Sequence, residues 1–155
     1  MTPNRAAEES DFEAFVLEVE PRLRRAFLAA YGVERGREAT AEALAWAWEH
    51  WPRVRSMRNA AGYLYRVGQS RTRPRRRALM ELPAPVAEPW VEPALPAALL
   101  ALSEGQRTAV VLVHGFGWTL REVADVTGVR RTTVQNHLER GLARLRISME
   151  ATDHA

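Results

Sequence analysis

Residues 119–146, TLREVADVTGVRRTTVQNHLERGLARLR, hold two runs of helically spaced apolar residues with only a short glycine turn between them. Leu120, Val123 and Ala124 stripe the first run, and Val134, Leu138, Leu142 and Leu145 stripe the second. Two helices joined this closely must cross at short range. The first then needs a small residue where the second packs, and Ala124 supplies it. The turn Thr127-Gly128-Val129 needs a residue that tolerates positive φ, and Gly128 supplies that. Thr119 with Glu122 is a capping-box pattern that starts the first helix. The second helix is predicted over about 131–147. A helix-turn-helix is the arrangement these constraints allow.

The rest of the chain also reads as helices, and no β-hairpin signal is present. Ser10 with Glu13 is a second capping-box pattern, followed by Phe12, Phe15, Val16 and Val19 at helical spacing. Pro21 is expected to break this helix, with a new one starting there and ending at Gly32. A third helix is predicted over 36–50, closed by Pro52, and a fourth from the cap Asn59 to about Arg73, stopped by Pro74. Residues 81–96, ELPAPVAEPWVEPALP, contain five prolines and three glutamates, which excludes a regular helix and reads as an extended linker. Beyond it, Leu95–Leu102 is a short apolar segment, and Ser103 caps a helix over about 104–114 that Gly115 and Gly117 end. The expected fold is all-α. Two small helical domains, 1–77 and 95–155, are joined by a proline-rich linker over 78–94, and the second contains the helix-turn-helix.

Charge narrows the function. All 22 basic residues are arginine, and the formal net charge of +3 conceals an uneven distribution. Residues 53–77 hold nine arginines and no acid, whereas residues 78–105 hold four glutamates and no base. So dense a basic block points to a polyanionic partner, nucleic acid first. A membrane surface is disfavoured because the Arg71–Arg77 cluster has no bulky apolar face beside it. The absence of cysteine excludes disulfides, thiolate zinc sites and thiol catalysis. His50, His114, His137 and His154 show no metal-ligand spacing, and no nucleophile–base pair is evident, so neither an enzyme nor a cofactor site is expected. Gly115-Phe116-Gly117 is not a phosphate loop, because Leu120 stands where a third glycine is needed. No apolar run reaches the roughly 20 residues of a membrane span. The first dozen residues lack the apolar core of a signal peptide. A soluble, cytoplasmic protein is expected.

In a helix-turn-helix the second helix lies in the DNA major groove. Its first turns here offer Arg131, Thr132, Thr133, Gln135 and Asn136, types that suit guanine, thymine and adenine edges. Arg140, Arg144 and Arg146 are further along, where phosphates are met. Trp46, Trp48, Trp51, Tyr63 and Tyr65 are aromatics able to stack on unpaired bases or to build a core. Of these, Tyr65 is expected to be the most exposed, since Tyr63 and Leu64 claim the apolar side of their helix.

With these residues in view, SEGQRTAVVLVHGFGWTLREVADVTGVRRTTVQNHLERGLARLR resembles region 4 of bacterial RNA polymerase sigma factors, above all the two-domain extracytoplasmic-function group. Arg107, Gly117 before Thr119, Glu122-Val123-Ala124, Thr133-Val134 and Leu145-Arg146 carry the likeness. FEAFVLEVEPRLRRAFLAAYG, EALAWAWEHWPRV and NAAGYLYRVGQSRTRPRRR are similar to region 2 of the same family. Ser70 and Pro74 stand at its usual asparagine and aspartate positions. The resemblance implies promoter DNA, core RNA polymerase and an anti-sigma factor as partners, with no membrane insertion. It implies that the −35 element is read by Arg131, Thr132, Thr133, Gln135, Asn136 and Arg140. The −10 element would be engaged by Arg66, Gln69, Ser70, Arg71 and Arg73, with the loop at 52–62 holding the opened strand. Polymerase would dock at Glu38, Glu42, Trp46 and Trp48. A stand-alone helix-turn-helix regulator and a protein-binding adaptor are the alternative readings.

Overall fold

The computed structural model describes residues 3–72 and 94–154. Most of the linker, together with Arg73 and Arg75–Arg77, lies outside the described residues. Within them the fold is all-α and contains no strand. Four helices precede the linker: α1 (Pro3–Tyr31), α2 (Val33–Glu49), α3 (Trp51–Val54) and α4 (Ala60–Arg71). Four follow it: α5 (Leu95–Leu100), α6 (Glu104–Val110), α7 (Leu120–Thr127) and α8 (Arg131–Asp153).

Two expectations for α1 are corrected. Ser10 and Glu13 lie inside the helix rather than capping it, and Pro21 does not break it. Pro21 removes one backbone hydrogen bond. Val19 and Leu23 are buried on either side of it, so one core holds both segments in line. The α1–α2 hairpin turns at Gly32, whose φ is 84°. Ala39, Ala43 and Ala47 form the buried stripe of α2 and let it lie close against α1 and α4. Asn59 caps α4 as expected, its Oδ1 accepting from the Gly62 amide at 3.0 Å.

Tyr65 is a further correction. It is 2% exposed and stacks on Phe27 with centroids 4.7 Å apart. Helix α4 is covered by α1 and α2 and also by α7, so it has two buried sides where a single apolar stripe suggested one. Gly68, on the same helix, makes room for Phe27: a Cβ there would run into its ring.

After the linker, Ser103 and Gln106 form a full capping box that starts α6. The helix does not end at Gly115 by a simple break. It widens into a π-helical turn over Val111–Gly115, and Leu112 is fully buried there. Helix α8 runs six residues beyond the predicted 147, to Asp153. The helices on the two sides of the linker share one core. Leu23, Phe27, Leu64 and Tyr65 belong to the same buried cluster as Ala109, Leu112, Trp118, Val123, Val126 and Val134. A smaller cluster of Ala98, Leu102, Val110 and Leu145 fixes α5 and α6 against α8.

Candidate nucleic-acid interface

The helix-turn-helix forms as its sequence demands. The Thr119 Oγ1 accepts from the Glu122 amide at 3.1 Å, and the Glu122 carboxylate accepts from the Thr119 amide at 2.8 Å. Val123 and Val126 bury one face of α7. Gly128 adopts φ 73° and ψ 15°, and its amide closes on the Ala124 carbonyl at 2.9 Å. This is the left-handed conformation that glycine adopts without a Cβ penalty. Arg130 precedes α8 in extended conformation and makes no side-chain cap. Val134, 1% exposed, anchors α8 in the core. The opposite face then presents Arg131, Thr132, Gln135, Asn136 and Arg140 to solvent, with Thr133 half-buried at its edge. Gln135 is held by a hydrogen bond from its Nε2 to Glu139 at 3.2 Å. Arg144 is committed elsewhere: it donates to Gln106 and to the Ala101 carbonyl, both at 3.0 Å, and ties α8 to α5 and α6.

The second basic region is built on α4 and the loop before it. Arg66, Ser70 and Arg71 are exposed, and Gln69 is half-buried. Arg71 pairs with Glu42 of α2 at 3.5 Å, so a residue of the expected polymerase surface touches one of the expected DNA surface. Arg66, Ser70 and Arg71 join Trp46, Tyr63 and Val67 around a cleft of about 310 Å³. Arg53 lies over Tyr63 at 5.3 Å and over Trp46 at 6.0 Å. A second cleft, of about 210 Å³, opens beside the loop, with Arg22, Arg55, Arg58, Asn59, Phe15 and Trp51 among its walls. The Trp51 indole nitrogen is buried without a hydrogen-bond partner. Arg53, Arg55 and Arg58 were legible only as members of a basic run; their grouping with Trp46, Tyr63 and Trp51 comes from the α3–α4 corner.

Glu38 and Glu42 share the exposed side of α2, with Trp46 half-buried one turn further on. Trp48 is not brought to them. Two helical positions, about 200° of rotation, separate it from Trp46. Trp46 stacks on His50 at 4.1 Å and faces Tyr63 at 5.3 Å. Trp48 is 41% exposed and packs on Phe12 of α1 at 4.9 Å.

The seam between the two halves carries its own polar groups. Arg107 is 6% exposed, and burial lowers its pKa, which nearby Glu104 partly offsets. The Tyr31 phenol is pushed up to about 12, chiefly by burial and then by Glu104 beside it. Among the described residues no cluster of His, Cys, Asp and Glu can hold a metal ion, and no helix is long and apolar enough to cross a membrane.

Residues 93–145 match the family described as Sigma-70, region 4. No curated protein matches the sequence. A solved structure of the sigma factor RpoE, in complex with the anti-sigma factor NepR from Bartonella quintana, is similar in fold, with a TM-score of 0.65. The likeness covers 90% of this chain and 97% of that one at 21% identity.

Proposed function

With residues 93–145 matching the sigma-70 region 4 family, and 90% of the chain similar in fold to a sigma factor, we propose that this protein is an extracytoplasmic-function-type sigma factor that brings core RNA polymerase to promoters. The observation that carries the reading is the first two turns of α8. Arg131, Thr132, Gln135 and Asn136 stand exposed on one face, directly after a helix-turn-helix turn, inside the region 4 segment. That face enters the major groove of the −35 element, where Arg131 forks onto guanine and Gln135 pairs with adenine. Arg140, further along, meets a phosphate.

Helix α4 and the loop at 52–62 engage the opened −10 strand. The arginines of the two clefts attract the backbone, and the aromatic walls at Trp46, Tyr63 and Trp51 suit an unstacked base. Glu38, Glu42 and Trp46 belong to the polymerase-docking surface on one side of α2; Trp48, about 200° round the helix from Trp46 and packed on Phe12, lies outside it. The protein performs no reaction itself; polymerization belongs to the partner. Its other protein partner is an anti-sigma factor, the class found with the structurally similar RpoE.

Reconstitution with bacterial core polymerase, followed by transcript-start mapping, tests the whole reading. Starts preceded by a common pair of elements are expected. Selection from a randomised −35 library should then show Gln135→Ala relaxing one or two base pairs, by about 1–3 kcal/mol of discrimination. A chain that binds duplex DNA but never co-migrates with core polymerase is instead a stand-alone regulator.

A further inference from the structure

Four helices converge on a cleft of about 390 Å³ that the sigma-factor reading leaves unused. Tyr65 and Gln69 of α4 form one part of its wall, and Glu104, Thr108 and Ala109 of α6 form another. Val123 and Thr127 of α7, with Val134 and His137 of α8, complete it. The volume lies within the roughly 300–1,000 Å³ of small-molecule sites, and so does the chemistry of the lining, apolar side chains with a few polar groups among them. Ala109, Val123 and Val134 are buried core residues, so the packing behind them fixes the apolar part. Gly105 lets the His137 imidazole lie against the first turn of α6, where a Cβ would run into its ring.

The charge of the cleft runs against that of the chain. All 22 basic residues are arginine, yet among the described residues no arginine lines it. Two arginines in its neighbourhood are turned to other acceptors. Arg107 donates to the Ala29, Ala30 and Leu102 carbonyls at 3.3, 2.9 and 3.0 Å. Arg35, which lies over the Tyr31 ring, donates to the Thr72 carbonyl at 3.0 Å. Glu104 is exposed and makes no salt bridge among the described residues. Burial, and then Tyr31 and Glu104 nearby, raise the pKa of the Tyr65 phenol, which therefore stays neutral and can donate or accept a hydrogen bond. From the carboxylate at the rim and the valines beside it, we infer that the cleft binds a small apolar amine, its cationic head at Glu104 and its body on Val123, Val129 and Val134. An anion would meet that carboxylate with no arginine to offset it. The inference stands apart from the sigma-factor reading, and its test needs neither DNA nor polymerase.

Tryptamine is the probe, with 3-methylindole and indole-3-propionate as its neutral and anionic counterparts. Ligands of this size bind at about millimolar strength. Titrated into the isotope-labelled full chain, tryptamine should move the amide resonances of the residues that line the cleft, and it should raise the melting temperature with concentration. Glu104→Gln should weaken tryptamine by about threefold to fivefold, the range of an exposed ion pair, and leave 3-methylindole unchanged. Indole-3-propionate should bind the unaltered chain more weakly than either. Val129→Phe, at a wall position that is 39% exposed, should fill the cleft and weaken all three without unfolding the chain, which circular dichroism checks. Resonances that stay still well above millimolar tryptamine overturn the site. Movement centred instead on Trp46 and Tyr63 overturns it as well, since the amine then sits over those aromatics. Equal binding of tryptamine and indole-3-propionate, or an unchanged tryptamine affinity in Glu104→Gln, overturns the amine as the ligand class.

Discussion

The helix-turn-helix and the α1–α4 bundle are both small helical units, yet they hold their shape in different ways. In α7 and α8 the decisive features are local: a reciprocal cap at Thr119 and Glu122, and a left-handed glycine at 128. Each can be read within four residues of itself. In the bundle the decisive features are remote. Pro21 stays inside a helix because residues on both sides of it reach one core. Tyr65 is buried because Phe27 of α1 stacks on it, and because α7, more than fifty positions away, packs on the same helix. Local chemistry is legible in sequence, whereas burial imposed by a distant element is not.

The strongest way to test whether the two halves share a core is to empty it. Phe27 is fully buried, stacks between Tyr31 and Tyr65, and occupies the space left by Gly68. Phe27→Ala should cost about 3–5 kcal/mol. Because the same cluster contains Leu112, Val123 and Val126, both halves should melt together, and earlier. Chemical denaturation followed by circular dichroism and by tryptophan fluorescence should give coincident transitions. Separate transitions would mean that the halves are independent and that the difference between them is only one of local sequence.

Gly128 probes the local side of the comparison. A β-branched residue at its φ of 73° is strained, so Gly128→Val should cost about 1–2 kcal/mol and weaken −35 duplex binding. Gly128→Asn should lose less, since asparagine visits this conformation more readily. Equal melting temperatures for the two variants would show that the turn is set by packing rather than by its own backbone. A smaller loss is expected at the cap. Thr119→Ala removes the acceptor of the Glu122 amide and should cost about 1 kcal/mol, with α4 unaffected in hydrogen exchange.

Legibility followed the same division at the sites. The exposed face of α8 could be drawn from spacing alone, because Val134 fixes which side is buried and the remaining positions follow by helical geometry. Arg144 could not be assigned in that way. Its acceptors, Gln106 and the Ala101 carbonyl, come from other helices, and nothing in the sequence around it signals that its charge is engaged. The same holds for Asn59. Its capping role is written in the residues that follow it, but its bond to Asp125 spans 66 positions. Trp46 and Trp48 looked like one aromatic patch in the sequence. Helical rotation sends one toward Tyr63 and the other toward Phe12.

The smallest stability change, and the one that bears most directly on the two proposed DNA surfaces, is expected at Glu42. On α8, Arg131 and Arg140 are exposed, and neither makes a salt bridge among the described residues; on α4, Arg71 is held by Glu42 at 3.5 Å. Both partners are about half exposed, so the pair contributes about 0–1 kcal/mol and Glu42→Gln should scarcely move the melting temperature. Its consequence is electrostatic. Released from the carboxylate, Arg71 becomes available to a phosphate, and a single-stranded −10 probe should bind more tightly. The slope of log affinity against log salt should steepen by about 0.7 for that one added contact. Binding to the −35 duplex should be unchanged, because α8 takes no part in the pair. Core polymerase supplies an opposing readout, since Glu42 lies on the proposed docking face and its neutral variant should associate less tightly. Tighter probe binding with weaker polymerase binding would show one carboxylate serving both surfaces of the N-terminal half. An unchanged salt slope would place Arg71 outside the DNA path and leave the −10 contact to Arg66 and the loop arginines.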